Sequence, residues 1–188
     1  ISEKYKLNIS LNLMKSKPAN NIQDLQFFGE FGGVNPSISD SSTYTFLSAN
    51  SMSETFEGNM EGCYLYSRNS SPSNLYLEEA CAALEGTEAA NVFSSGMGAI
   101  TATILQLCKS EDHIISSRTV YGGTYAFLKN FTPQLKIETT FVDITSLDDI
   151  NNSIKPNTKI IYCEVSSNPL LEIADLEEIS KIAKKNNI

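Results

Sequence analysis

The sequence contains no tryptophan, a single histidine and no long uninterrupted apolar run. The histidine, His113, opens the apolar segment HIIS and has no neighbouring histidine, cysteine or carboxylate cluster that would suit a metal. We therefore predict no metal site, and a solvent-exposed histidine at the start of a strand. The longest largely apolar stretch, residues 89–108, is interrupted by Asn91, Ser94, Ser95 and two glycines, which argues against a bilayer-spanning helix.

An excess of basic residues is also absent, since the 188 residues carry a formal net charge of -8. Nucleic-acid binding depends on lysine and arginine side chains that neutralise phosphates, so a DNA- or RNA-binding protein is disfavoured. The cysteines form no C-x-x-C pair, which predicts buried free thiols. They are Cys63, Cys81, Cys108 and Cys163. The first residues lack the pattern of a secretory signal, so we expect a cytoplasmic protein.

Helix and strand patterns alternate along the chain from Pro72 onward. Residues 1–60, rich in serine, asparagine and glycine, are predicted to form an irregular amino-terminal arm. Helices are predicted over 75–86 (capped by Ser73 or Asn74), within 93–107, and over 122–130, 147–154 and 176–185. Strands are predicted over 90–95, 113–117, 136–142 and 158–165. This order is typical of an α/β fold with a mostly parallel sheet and helices on both faces.

Small residues crowd the start of one predicted helix, at Ser95-Gly96-Met97-Gly98. Unpaired amides and the positive end of the helix dipole suit a phosphate there, and small side chains let it approach closely. The alternative is that Gly96 and Gly98 merely allow the helix to pack tightly on the sheet. A nucleoside-triphosphate loop is disfavoured because no lysine follows, and a dinucleotide fingerprint is incomplete because Thr101 occupies its third glycine position.

Three further segments carry side chains that suit a phosphorylated ligand. Tyr66 and Arg68 stand two apart in a predicted extended segment, so they project to one side and offer a hydroxyl and a forked cation. Tyr121 follows one predicted strand, and Glu164 and Asn168 follow another, at the sheet edge where such folds bind ligands. Each of these observations has an alternative explanation. Tyr66 and Arg68 are then an exposed surface pair, Tyr121 packs in the core, and Asn168 belongs to an ordinary Asn-Pro turn.

In this order, the motifs Y-x-R, S-G-M-x-A, Y-G-G-T and E-x-x-x-N-P resemble those of the pyridoxal-phosphate (PLP)-dependent enzymes of cysteine and methionine metabolism. That family includes methionine gamma-lyase, cystathionine gamma-synthase, cystathionine gamma-lyase and O-acetylhomoserine sulfhydrylase. The resemblance covers residues 29–188 and implies the large domain of an aspartate aminotransferase-like (fold type I) PLP-dependent transferase, here incomplete. It implies an arm for subunit contacts at 1–60 and the first part of the PLP-binding domain at 61–188.

The resemblance also implies roles for individual residues. Gly96 and Met97, with Ser95 beside them, would present backbone amides to the cofactor phosphate. Tyr121 would stack on the pyridine ring and assist the leaving group as a catalytic residue. Asn168 would lie near the ring hydroxyl.

A subunit partner is implied as well, because Tyr66 and Arg68 would reach the phosphate of the neighbouring subunit's cofactor in a dimer, usually paired into a tetramer. Some positions depart from the family's usual pattern. Ser71-Pro72-Ser73 replaces a common N-P-T, and Ser166 stands where proline is frequent. Gly123 stands where many methionine gamma-lyases carry a cysteine, which weakens that narrow assignment.

The end of the chain suggests a longer protein. Asn186 and Asn187 suit the end of a helix, and Ile188 then resembles the first residue of another strand. The resemblance places the pyridinium-pairing aspartate and the Schiff-base lysine beyond Ile188. We therefore expect a truncated chain that is inactive alone.

The function predicted on this basis is gamma-elimination or gamma-replacement on methionine, cystathionine or an O-acyl-homoserine, with neither nucleic acid nor membrane as a partner. Two other classes remain open. If 188 residues is the natural length, the chain is a non-catalytic phosphate-ligand-binding or dimerisation module. The third class is a nicotinamide-dependent oxidoreductase.

Overall fold

A computed structural model of the protein describes residues 32–46, 48–59 and 63–188. The chain divides into two compact units, the first ending at Val92 and the second spanning Phe93–Ile188. Much of the predicted arm, residues 1–31, lies outside the described residues. The predicted border between arm and PLP-binding domain at residues 60 and 61 stays a prediction.

Among its described residues, the first unit contains the α-helices α1 (Ala49–Phe56) and α2 (Pro72–Glu85). The hydroxyl of Ser48 accepts a hydrogen bond from the Ser51 amide at 3.2 Å, and the Ser51 hydroxyl accepts one from the Ser48 amide at 3.1 Å. Helix α1 lies within the segment predicted to be irregular, so that prediction was wrong there. The two serines form a capping box in which serine replaces the usual glutamate or glutamine. The sequence pattern that predicts a helix start is therefore weaker here.

Helix α2 begins slightly earlier than predicted. Ser71, rather than Ser73 or Asn74, is the cap, and its hydroxyl accepts from the Asn74 amide at 3.2 Å. Pro72 occupies the first helical position, where a missing amide hydrogen costs nothing. The predicted end at Gly86 is confirmed, since this residue adopts the left-handed conformation with φ of 65°.

The second unit is built on a three-stranded parallel sheet. Its strands are β1 (His113–Ser117), β2 (Glu138–Val142) and β3 (Thr158–Tyr162). The order is β2-β1-β3, and Ile114 of β1 lies opposite both Thr139 and Ile160. All five residues of the central strand β1 are buried. The predicted parallel sheet is confirmed, although β2 and β3 are shorter than the sequence pattern suggested.

Four α-helices accompany this sheet. They are α3 (Gly96–Leu107), α4 (Gly122–Ala126), α5 (Leu147–Asn152) and α6 (Leu176–Lys185). After α4 the chain continues as a π-helix, Phe127–Phe131, and a 3-10 helix, Thr132–Leu135, so the single helix predicted over 122–130 changes form along its length. Pro133 lies in the first turn of the 3-10 helix and has no amide hydrogen with which to continue the wider helical hydrogen bonding.

Apolar side chains cover both faces of the sheet. Ile115 packs in one cluster with Ile150 of α5 and Ile179 of α6, whereas Ile114 packs in another with Ile104 of α3. Successive residues of a strand point to opposite faces, so these neighbours anchor separate clusters. Burial of each isoleucine contributes about 1.5–3 kcal/mol. The prediction of helices on both faces is confirmed.

The strand predicted over 90–95 is not formed among the described residues. Phe93 is 43% exposed, and the Val92 amide donates to the Glu78 carboxylate at 3.2 Å instead of to a neighbouring strand. A short apolar run becomes a strand only where another strand pairs with it, and no strand of the described chain does so here.

His113 starts β1 as predicted, but its predicted exposure was wrong. The ring is fully buried, with Nδ1 2.8 Å from Thr158 Oγ1 and Nε2 2.8 Å from Thr140 Oγ1. These hydroxyls come from the two neighbouring strands, so sheet formation creates a polar slot that the sequence pattern does not reveal. Burial, and then the positive charge of Lys155, lower the pKa of His113.

The cysteines are free, but the prediction that they are buried holds fully only for Cys108. Burial raises the pKa of the Cys108 thiol to about 11. Cys81 and Cys163 are half-buried, and Cys63 is exposed. In the part of the chain that the structure describes, every helix is too short or too polar to cross a membrane.

We predict that His113 makes stability fall at mildly acidic pH. Its pKa is lower in the folded than in the unfolded chain, so protonation favours unfolding as the pH falls below about 6.5. Urea unfolding of the native protein should show a loss of at most about 1.4 kcal/mol per pH unit between pH ~6.5 and ~5.5. His113→Gln should reduce this slope, and an equal slope in both proteins would contradict the assignment.

Candidate functional site

Parallel pairing brings the carboxyl ends of β1 and β3 to the same edge of the sheet. The chain leaves β1 and reaches Tyr121, and it leaves β3 and reaches Glu164. The Tyr121 amide donates a hydrogen bond to Glu164 Oε1 at 2.8 Å. His113 starts β1 at the opposite edge and therefore does not belong to this group.

Helix α3 begins with two amides available to a ligand. Ser95 precedes the helix in an extended conformation, and its hydroxyl accepts a hydrogen bond from the Gly98 amide at 3.0 Å. Within residues 93–188, no hydrogen bond joins the amides of Gly96 or Met97 to another group of the protein. First-turn amides lie at the positive end of the helix dipole, so these two donors suit an anion.

The glycines at this helix start test the alternative that they allow the helix to pack tightly on the sheet. A Cβ added at Gly96 would meet no atom within 4 Å, so close packing does not explain this glycine. A Cβ added at Gly98 would lie 3.1 Å from Ser95 Oγ, the capping atom. The space at Gly98 is therefore needed by the cap and not by the sheet.

Gly123 is the point of close approach between the starts of α3 and α4. A Cβ there would lie 2.6 Å from Tyr121 Cε1 and 3.1 Å from Met97 Sδ. The hydroxyl of Thr124, the next residue, donates to the same sulfur at 3.8 Å. The structure thus brings together Met97 and Tyr121, two residues of separate sequence motifs.

Tyr121 is 57% exposed, so the core-packing alternative for it is wrong. Its surroundings become less polar toward the sheet. Burial raises the pKa of Tyr162, partly offset by a hydrogen bond with the Thr124 hydroxyl. Burial also raises the pKa of the Cys163 thiol, and the negative charge of Glu164 adds to this effect. The exposed ring of Tyr121 is therefore accessible to a ligand at this edge of the sheet.

Asn168 lies further along the loop that follows β3. A bridge between Ser166 and Ile173 closes this loop, and the peptide bond between Asn168 and Pro169 is cis. Asn168 is exposed, and no hydrogen bond described for residues 93–188 joins its side chain to Tyr121. Its implied role therefore stays a prediction.

Tyr66 and Arg68 lie side by side in the first unit. Arg68 Cζ is 5.2 Å from the centre of the Tyr66 ring, so the pair shares a side as predicted. The extended conformation predicted for them was wrong, because the chain turns here and the Asn69 amide donates to the Tyr66 carbonyl at 2.9 Å. Both side chains are exposed, which leaves the ring and the guanidinium available to a partner.

Sequence reasoning missed two side chains at this edge, Thr124 and Tyr162. Thr124 closes the Y-G-G-T motif, so its position in the motif was an available signal. Tyr162 ends an apolar strand and carried no signal, because only the fold places it against Thr124.

Comparisons with known proteins test the expected family and fold. The sequence model of the family "Cys/Met metabolism PLP-dependent enzyme" matches residues 20–188. Methionine gamma-lyase of Arabidopsis thaliana is 40% identical over 185 residues, which are 95% of this chain and 42% of that protein. Cystathionine gamma-lyase of Bacillus subtilis is 46% identical over 125 residues, which are 66% of this chain and 33% of that protein.

Solved structures are similar as well. A putative O-acetylhomoserine (thiol)-lyase of Campylobacter jejuni, crystallised with N'-pyridoxyl-lysine-5'-monophosphate, superposes with a TM-score of 0.83 at 30% identity. The match covers 92% of this chain and 43% of that chain. Cystathionine gamma-lyase of Lactobacillus plantarum, complexed with L-serine, gives a TM-score of 0.79 at 28% identity. This match covers 92% of the present chain and 43% of the other.

The fold is that of the large domain of PLP-dependent enzymes of fold type I, of which this chain forms an incomplete part. The chain belongs to the family of PLP-dependent enzymes of cysteine and methionine metabolism. The expected family, fold class and cofactor are thereby confirmed. The chain spans less than half the length of these relatives.

We predict that Ser95→Ala destabilises the protein by about 1 kcal/mol, because the Gly98 amide loses its cap. Ser146→Ala is a matched control, since the Ser146 hydroxyl accepts from the Asp149 amide at 3.2 Å at the start of α5. Chemical denaturation should give similar losses for both variants. A stability loss for Ser146→Ala alone would show that the Ser95 cap does not hold α3.

Proposed function

We propose that the protein containing these 188 residues is a PLP-dependent enzyme that eliminates or replaces the gamma substituent of a sulfur amino acid or an activated homoserine. The observation that carries this proposal is the meeting of Met97 and Tyr121 over Gly123, at the carboxyl edge of the sheet, in a chain of this family. PLP, when bound, supplies the electron sink that allows bonds of an amino acid to break.

The start of α3 is the proposed seat of the cofactor phosphate. The amides of Gly96 and Met97 have the right chemistry for a phosphate, and the open space at Gly96 permits its approach. Ser95 lies beside them with its hydroxyl occupied by the Gly98 amide. The residues present therefore fit the phosphate end of the cofactor.

The exposed ring of Tyr121 is proposed to stack on the cofactor's pyridine ring and to assist departure of the substituent as a catalytic residue. A phenol hydroxyl at this rim is able to hold or donate a proton at the leaving atom. Asn168 is proposed to lie near the ring hydroxyl of the cofactor. Its exposure leaves its amide free to hydrogen-bond there.

Tyr66 and Arg68 are proposed to serve the active site of a neighbouring subunit in a dimer, itself paired into a tetramer. Both side chains are exposed and lie against each other, so the guanidinium is held by a ring and presented outward. A forked guanidinium binds phosphate through two parallel hydrogen bonds. We also propose that the protein is cytoplasmic.

Cofactor binding and reaction type are tested on the complete protein. We expect visible absorbance of bound PLP, and turnover of at least one of methionine, cystathionine and O-acetylhomoserine. Release of a keto acid with ammonia identifies elimination, whereas incorporation of added sulfide into an amino acid product identifies replacement. A protein that does not retain PLP would overturn the proposal.

We predict that Arg68→Ala weakens PLP retention by about tenfold or more, because a charge-assisted hydrogen bond contributes about 1.5–3 kcal/mol. Equilibrium dialysis of the complete protein against PLP measures this change. Arg118→Ala is the control, since Arg118 pairs with Asp143 at 2.6 Å and has no proposed contact with the cofactor. Equal retention by both variants would remove Arg68 from the site.

A further inference from the structure

Thr124 is a buried polar side chain to which the proposed function gives no role. It belongs to α4, and its relative exposure is 0%. Burial of a hydroxyl costs free energy unless the group is hydrogen-bonded, so buried hydroxyls have partners. The partners of Thr124 therefore indicate what its hydroxyl contributes to the structure.

The first partner is the thioether of Met97, which lies 27 residues earlier in the chain. The Thr124 hydroxyl donates a hydrogen bond to Met97 Sδ at 3.8 Å. A methionine side chain has three rotatable bonds, so a thioether without a partner adopts several conformations. Met97 is half-buried, and the hydrogen bond from Thr124 favours one position of its sulfur.

The second partner is the phenol of Tyr162 at the end of β3. Burial raises the pKa of Tyr162, and a hydrogen bond with the Thr124 hydroxyl opposes this effect. A protonated phenol donates, whereas a threonine oxygen accepts and its single proton is free for another acceptor. The threonine proton is therefore directed to the sulfur of Met97, and α3, α4 and β3 meet at one hydroxyl.

The first turn of α3 depends on side-chain contacts for its position. First-turn amides have no acceptor within their own helix, and within residues 93–188 no hydrogen bond joins the amide of Gly96 or Met97 to another group of the protein. The hydroxyl of Ser95 holds the amide of Gly98, at the end of this turn. The contact between Thr124 and Met97 holds the residue that precedes Gly98.

We propose that Thr124 is a positioning residue for the cofactor phosphate and acts through Met97. Its hydroxyl holds the Met97 side chain and thereby fixes the turn whose Gly96 and Met97 amides are the proposed phosphate donors. Donors that already have a defined position lose less freedom when a ligand binds. This inference rests on the proposed function, in which that turn receives the phosphate of PLP.

Thr124→Val removes the hydroxyl and keeps the branched shape of the side chain. In the complete protein, this change should raise the Kd of PLP about three- to tenfold, because it removes the net contribution of one hydrogen bond. Equilibrium dialysis against PLP measures the change. Thr124→Ser keeps a hydroxyl and should restore most of the affinity.

A second buried threonine provides a matched control. Thr132 also has a relative exposure of 0%, and its hydroxyl donates to the backbone carbonyl of Leu128 at 2.9 Å. Thr132→Val should lower the stability to urea, because it too removes a buried hydrogen bond, but it should leave the Kd of PLP unchanged. An equal rise in Kd for Thr124→Val and Thr132→Val would show a general loss of stability and would overturn the role of Thr124.

A second variant tests whether the hydroxyl acts through the sulfur. Met97→Leu removes the thioether and keeps the backbone amide. In this background, adding Thr124→Val should change the Kd of PLP by less than about twofold, because the hydroxyl has lost its acceptor. A full three- to tenfold change in the Met97→Leu background would show that Thr124 does not act through Met97.

A measurement without PLP separates this inference from the function on which it rests. In the complete protein labelled with 13C at its methionine methyl groups, the NMR signal of Met97, assigned with Met97→Leu, reports the conformation of this side chain. Thr124→Val should move the signal, and Thr132→Val should not. If the unmodified protein does not bind PLP, the proposed function is overturned, and the NMR comparison still decides whether Thr124 holds Met97. If PLP binds but either the Met97 signal or the Kd is unchanged in Thr124→Val, the role of Thr124 is overturned.

Discussion

The parallel pairing of β1 between β2 and β3 is the constraint on which the second unit depends. Parallel neighbours require a crossover after each strand, so every strand must leave the sheet at the same edge before a helix returns the chain. Tyr121 and Glu164, 43 residues apart, meet across a 2.8 Å hydrogen bond because both follow strands of this sheet. At the opposite edge, the buried ring of His113 bridges two threonines of the neighbouring strands.

The candidate site is shaped by small residues as much as by reactive ones. Ser95 leaves the first amides of α3 unshielded, and Gly96 adds open space in front of them. The space at Gly123 lies between the ring of Tyr121, which precedes α4, and the thioether of Met97 in α3. The start of α3 and the exposed ring of Tyr121 therefore lie close together, and we propose them as the site of a phosphorylated aromatic cofactor.

The sequence predicted helix starts and ends correctly where all the residues that determine them lie close together in the chain. Asp175 caps α6 through the Glu178 amide, and Gly86 ends α2 in a left-handed conformation, both as the residue types predict. Helix α1 was missed because its serine pair lacks the usual capping pattern. The strand predicted at 90–95 was wrong, since an apolar run cannot show whether a partner strand is present.

In the candidate site, too, local motifs were predictable from the sequence, whereas contacts between distant segments were not. The motifs Y-x-R, S-G-M-x-A, Y-G-G-T and E-x-x-x-N-P together indicated the family, and the alternation of apolar runs indicated a parallel α/β sheet, because each pattern resides in neighbouring residues. The structure alone decided that His113 is buried, that Tyr121 is exposed, and that Gly123 separates Met97 from the Tyr121 ring. The physical reason is that burial and contact depend on which distant segments pack together, whereas caps, turns and helical periods depend on neighbours along the chain.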